Sequence, residues 1–192
     1  MSDVVTISGS PSEYSRSDRV LKYLCHLLEG AGLSTTQISV RHIKPEDLVY
    51  ARYDSPAIEH IALSIKNARG LIIGSPVYKA SYSGVLKALL DLLPQEALKD
   101  TPTLPIMVGG SMAHLLAIDF ALKPVLSTLK AQNLQGVYLL DQHIDRENET
   151  NPIVNHDVLH RLNVELQSFI RSVKKQKSVF VQEKKETRRA VQ

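Results

Sequence analysis

The chain has 192 residues, enough for one domain with a substantial core, and its 43% hydrophobic and 22% charged residues are ordinary for a soluble globular protein. No apolar run is long enough to cross a bilayer and Met1-Ser2-Asp3-Val4-Val5 lacks the basic and apolar regions of a secretory signal, so no membrane role and a cytoplasmic location are expected. The net charge of +3 is unevenly spread: residues 171–192 carry eight Lys or Arg against Glu183 and Glu186, a balance of +6 that leaves −3 for the remainder, so no nucleic-acid groove is expected on the folded body.

In chain order, Val4-Val5-Thr6-Ile7-Ser8 reads as a first strand, rich in β-branched residues and stopped by Gly9-Ser10-Pro11. Val20, Leu21, Leu24, Leu27 and Leu28 mark one face of a helix that Gly30 and Gly32 end. Cys25, the only cysteine, falls on that helix; it can form neither an internal disulfide nor a multi-thiolate metal site, and reads as a small core residue. Ser34 to Val40 forms a second strand, 45–56 an irregular connection, and Ile58, Ile61, Ala62 and Ile65 set a second helix. Gly70-Leu71-Ile72-Ile73 is a buried third strand, followed by a long polar and aromatic loop and a helix built on Leu86, Leu89, Leu90 and Leu93. A fourth strand, Leu104 to Val108, ends at Gly109-Gly110-Ser111. A long helix follows, with Leu115, Leu116, Leu122, Val125, Leu126 and Leu129 inward and a bend at Pro124, whose missing N–H breaks the bond to the Phe120 carbonyl. Gly136 to Leu140 is a fifth strand, and Leu159, Leu162, Leu166, Phe169, Ile170 and Val173 line a last helix from Asp157 to Val173.

Five alternations of strand and helix imply a parallel sheet covered on both faces by right-handed crossovers. The expected fold class is α/β, a flavodoxin-like three-layer sandwich with a five-stranded parallel sheet in the order 2-1-3-4-5 and its switch point between strands one and three. Residues 1–175 are assigned to this domain and 176–192 to a flexible basic tail. Gly9, Gly74, Gly84, Gly109 and Gly110 all fall in loops that leave strands one, three and four, which converge at the switch point.

Those loops carry the chemistry. Loop one, Gly9-Ser10-Pro11-Ser12-Glu13-Tyr14-Ser15-Arg16-Ser17, joins hydroxyls, a helix N-terminus and an arginine, a set that suits a phosphate; Ser15 and Ser17 read equally well as helix caps. It is neither a P-loop nor a G-x-G-x-x-G turn. Loop three, Gly74 to Gly84, offers Pro76, Val77 and Tyr78 as a flat wall for a planar ring, and Gly109, Gly110 and Ser111 of loop four can bring backbone groups to the polar edge of a heterocycle. There is no H-E-x-x-H, cysteine cluster, G-x-S-x-G or pair of carboxylates near these loops, so neither a metal site nor hydrolytic chemistry is expected. His114 and Asp119 read as structural residues of the following helix.

Taken together, Gly9-Ser10-Pro11 with Ser15-Arg16-Ser17, Ser75-Pro76-Val77-Tyr78-Lys79-Ala80-Ser81-Tyr82-Ser83-Gly84, Tyr50-Ala51-Arg52-Tyr53-Asp54-Ser55-Pro56-Ala57 and Gly109-Gly110-Ser111-Met112-Ala113-His114 resemble the NADPH-dependent FMN reductases, most closely the flavin reductases that serve two-component alkanesulfonate monooxygenase systems. The likeness runs from the first strand to about Gln132 and fades after Tyr138. It implies FMN and NADPH as cofactors, hydride transfer from NADPH to FMN, and release of reduced FMN to a partner FMN-dependent monooxygenase in sulfonate desulfurisation. It also implies a homodimer or homotetramer. Carried over, Ser10, Ser15, Arg16 and Ser17 hold the FMN phosphate, Pro76, Val77 and Tyr78 lie by the isoalloxazine, and Gly109, Gly110 and Ser111 meet its pyrimidine edge. No protein side chain is expected to be catalytic, because the cofactor supplies the chemistry. Phe120 departs from the pattern, which expects a tyrosine there, close to the flavin in the subunit packing. Alternative readings are a quinone or azo reductase with bound FMN, and a flavodoxin-type electron carrier.

Overall fold

In the computed structural model, which describes residues 2–190 with side chains to Gln176, strands β1 (Val4–Ser8), β2 (Thr35–Ser39), β3 (Gly70–Pro76) and β4 (Pro102–Gly109) form a parallel sheet. Its order is β2-β1-β3-β4-β5, as expected for a flavodoxin-like fold, and a sixth strand joins it. Both β5 (Gln132–Asn133) and β6 (Val137–Leu140) pair with β4: β6 is the fifth strand expected over Gly136 to Leu140, and β5 is an additional short strand that precedes it on the same edge. The break between them has a local cause. Register advances by one residue between Thr103↔Asn133 and Ile106↔Val137, so Leu134, Gln135 and Gly136 stand against Leu104 and Pro105 alone. Pro105 has no N–H to give to a ladder, and Gly136 sits at φ +80 where a Cβ would come 2.8 Å from the Pro105 carbonyl.

Strand residues alternate between two cores, as the period of two requires. Val5, Ile7, Leu71, Ile73 and Met107 pack with helices α3 (Pro56–Asn67), α4 (Gly84–Asp91) and α5 (Lys123–Thr128). Val4, Ile72, Leu104, Ile106 and Val108 face α1 (Arg16–Gly30) and α6 (His156–Ala190). The three layers follow directly from that alternation.

Three local readings change. Residues 45–56, expected to be irregular, contain the short helix α2 (Pro45–Val49), started by Pro45 in its first turn. The long helix expected over 115–129 is broken into a 3-10 turn at Met112–His114, a π-helical turn at Ile118–Leu122 and α5. In the π turn the Lys123 N–H reaches back to Ile118, five residues away, which places Pro124 in the first turn of α5, where its missing N–H costs little. Cys25 is half-buried rather than enclosed, its thiol 3.5 Å from the Thr6 hydroxyl; burial raises its pKa, and the nearby Glu29 and Asp18 charges add to the shift. The buried face of α6 runs from Val158 to Val173, and the basic tail expected at 176–192 lies, beyond Gln176, outside the described side chains. No helix among the described residues is long and apolar enough to cross a membrane.

Candidate functional site

The carboxyl ends of β1, β3 and β4 deliver loops one, three and four to one edge of the sheet, and hydrogen bonds lock each loop to the next. Gly9 N–H donates to the Gly74 carbonyl at 2.7 Å, the Ser83 hydroxyl donates to the Gly9 carbonyl, and Val77 N–H donates to the Val108 carbonyl at 2.8 Å. A ligand met by all three loops is therefore met by one rigid frame.

Loop one turns on its serines. The Ser10 hydroxyl, itself buried, accepts from Ser12 N–H at 3.2 Å, and Ser15 is the N-cap of α1, accepting from Asp18 N–H at 3.4 Å. The Ser15 and Ser17 hydroxyls lie 2.8 Å apart. The cap accounts for Ser15 and leaves the N–H groups of Arg16 and Ser17, at the start of the helix, without a carbonyl inside it. Arg16 pairs with no carboxylate among the described residues, and its Nε is buried with no partner at all. Both sets of donors are of the kind that an anion at the head of α1 would complete.

Loop three narrows at its tip into a two-residue turn: Tyr78 and Ser81 exchange N–H···O=C bonds of 2.8 and 3.1 Å around Lys79 and Ala80, both at positive φ. This hairpin-type turn holds Tyr78 half exposed beside Pro76 and Val77. Its base is fixed by buried serines, with Ser75 accepting from Ser83 N–H at 3.0 Å and Ser83 capping α4 through Leu86 N–H at 3.1 Å.

Loop four is held from below by Tyr138 of β6, whose hydroxyl donates to the Ser111 carbonyl at 2.6 Å. Burial raises the Tyr138 pKa and the Asp141 charge adds to the shift, which keeps the phenol protonated as a donor. A Cβ on Gly109 would overlap that hydroxyl and lie 3.2 Å from Val77 Cβ, so the close approach of β6 to the loop requires glycine here. The Ser111 side chain turns into the 3-10 turn, accepting from Ala113 N–H at 3.2 Å.

Nine of the ten expected residues, Ser10, Ser15, Arg16, Ser17, Pro76, Val77, Tyr78, Gly109 and Gly110, line one cleft of about 210 Å³; Ser111 is outside its lining. Two further residues there were not singled out in the sequence, Asp141 and Arg146, which follow β6. Their signal was positional: the end of one more parallel strand belongs to the same sheet edge. Larger hollows exist, an apolar groove of about 560 Å³ beside Val40, Ile43, Leu48 and Val85 and a mixed one of about 680 Å³ lined by Leu90, Val125 and charged residues such as Lys87 and Glu96. Neither is walled by the serines and the partnerless guanidinium of the cleft, so chemistry rather than size selects the site. No cluster of metal-ligating side chains occurs among the described residues.

Comparison with known proteins identifies the family. Residues 2–145 match the family model of the NADPH-dependent FMN reductases. The chain is 46% identical over 168 residues to an Escherichia coli (strain K12) protein named FMN reductase (NADPH), covering 86% of this chain and 87% of that one. It is 47% identical over 168 residues to a protein of the same name from Pseudomonas putida, with 86% and 85% covered. Among solved structures, an NADH:FMN oxidoreductase in its apo form superposes with a TM-score of 0.76 at 33% identity, over 88% of each chain. The chain belongs to the NADPH-dependent FMN reductases, a family of oxidoreductases whose cofactors are FMN and NADPH.

Proposed function

We propose that the protein takes FMN as a substrate, reduces it with NADPH, and releases it to a separate FMN-dependent monooxygenase in the desulfurisation of a sulfonate. The observation that carries the reading is the single cleft in which a helix N-terminus, two serine hydroxyls and a partnerless buried guanidinium nitrogen stand at one end and a flat wall and bare glycine backbone stand at the other. Bound FMN supplies the acceptor for the hydride of NADPH. Ser15, Arg16 and Ser17 hold its phosphate, Pro76, Val77 and Tyr78 support the ring, and the Gly109-Gly110 backbone meets the ring's polar edge. Ser10 acts from beneath, shaping the loop through Ser12 N–H.

The dimensions favour a flavin that comes and goes. A volume of about 210 Å³ is smaller than the roughly 300–1,000 Å³ that encloses a drug-sized ligand, so one face of the ring stays open to a nicotinamide and to departure. Phe120, 77% exposed on the π turn, together with exposed Met112 and Leu116, supports packing between copies of the chain in a homodimer or homotetramer. The FMN-binding unit is assigned to residues 1–175 and the site of action to the cytoplasm. Steady-state NADPH oxidation with and without added free FMN tests the reading. Acceleration that saturates with FMN is expected, whereas a rate indifferent to added FMN but responsive to a quinone would mark the flavin as a fixed group.

A further inference from the structure

We propose that Arg146 is a second arginine for the flavin phosphate, brought by a hairpin strap that follows β6 to the cleft that Arg16 also lines. The inference rests on the reading of the cleft as an FMN site. Arg146 stands one residue beyond the 2–145 stretch covered by the family model.

The strap is built, not loose. Ile144 and Ile153 form an antiparallel bridge, Asp145 N–H donates to the Pro152 carbonyl at 2.8 Å and Val154 N–H to the His143 carbonyl at 3.0 Å. At its tip the Asn148 carboxamide oxygen accepts from Asn151 N–H at 2.9 Å. Glu149 then pins the tip to α1 through Arg19, 2.7 Å apart. This geometry brings the Arg146 guanidinium to the head of α1, where Nη1 donates to the Tyr14 carbonyl at 3.4 Å, one residue before the Ser15 cap.

Arg146 is exposed and pairs with no carboxylate among the described residues. It lines the cleft and also an adjoining polar basin of about 320 Å³. A phosphate monoester could come to it from either side, as the 5′-phosphate of FMN or the 2′-phosphate of NADPH. The other cations of the basin are already committed, Arg19 to Glu149 and Lys22 to Asp18 at 3.4 Å. In the cleft, Arg16 has no such partner. The free donors therefore converge on the cleft, and the FMN phosphate is the assigned ligand.

The test titrates the full-length wild type, R146A and R146K with FMN and with riboflavin, following flavin fluorescence, and compares KM for NADPH and NADH. Quenching of FMN by the wild type establishes the site itself. R146A is then expected to weaken FMN about tenfold, R146K less, with riboflavin affinity unchanged and the salt dependence of FMN binding reduced. E149Q, which frees the strap, shifts FMN in the same direction by less. Wild-type binding of FMN with R146A indistinguishable from it would overturn the role of Arg146 while leaving the site intact. So would equal losses for FMN and riboflavin, which mark a structural defect, or a loss confined to NADPH relative to NADH, which moves the arginine to the basin.

Discussion

Arg16 is the residue on which the phosphate reading turns. A buried donor without a partner is a cost to the unliganded fold, of about 1–3 kcal/mol for such a group, and an advantage once an anion arrives. Arg16→Ala is therefore expected to weaken FMN binding by about tenfold or more while leaving thermal stability unchanged or slightly higher; a lower melting temperature with intact FMN affinity would contradict this. Ala80 carries a different kind of strain, at φ +64 in the turn of loop three. Ala80→Gly relieves a left-handed alanine and is expected to raise stability by about 0.5–1 kcal/mol in denaturant unfolding. At this scale the sequence was legible wherever a residue acts through its own loop: Ser10, Arg16, Pro76 and Tyr78 could be placed because strand ends locate loops. Arg146 could not, since its position depends on a strap bridged by Ile144 and Ile153 and pinned by a pair 130 residues apart, Arg19 and Glu149. Nor could the packing of Gly74, where a Cβ would lie 2.8 Å from a Leu21 methyl: its place in a loop at the switch point was legible, but not that it makes room for α1.

Among the elements, the edge of the sheet opposite the cleft is tied by Asp3. Its backbone N–H donates to the Ser34 hydroxyl at 2.9 Å, its carboxylate accepts from Ser34 N–H at 3.0 Å and from the Arg69 guanidinium, and its carbonyl accepts from Arg69 N–H at 2.8 Å. The starts of β1, β2 and β3 are thereby joined. Burial pushes the Asp3 carboxyl up, but the bonds from Ser34 and Arg69 outweigh it and hold the pKa below the ordinary value. A depressed folded pKa means that the stabilisation is fully present above the unfolded pKa of about 4 and is lost as pH falls through the folded value. Asp3→Asn is expected to cost about 1 kcal/mol at pH 7, with the gap from wild type closing below pH of about 4. A gap that is constant with pH would remove the ion pair as its cause. The elements themselves follow their sequence periods except around Pro124 and Gly136, where a one-residue insertion changes the hydrogen-bonding register without disturbing the apolar pattern. Hydrophobic spacing cannot report such an insertion, so one long helix and one fifth strand were the natural readings.

Over the whole molecule, a sheet buried on both faces explains why the order of strands was legible before any contact was known. The runs at Val4, Leu71 and Leu104 are apolar on successive residues, which only a strand covered from both sides requires. Phe169 of α6 is fully buried under the β3 side of that sheet, where a Cβ on Gly70 would lie 2.8 Å from its ring. Phe169→Ala opens a large cavity in this core and is expected to destabilise the fold by about 3–5 kcal/mol in chemical unfolding, with FMN affinity preserved in the fraction that folds. The cleft at the far edge depends on the sheet only for the placing of its loops. The most direct measurement of the central claim is a flavin titration of the purified protein followed by fluorescence quenching, with FMN and riboflavin side by side. Saturable quenching by FMN at concentrations well below those needed for riboflavin is predicted, because the donors at the head of α1 await a phosphate. Equal affinity for the two flavins, or no quenching by FMN, would contradict it.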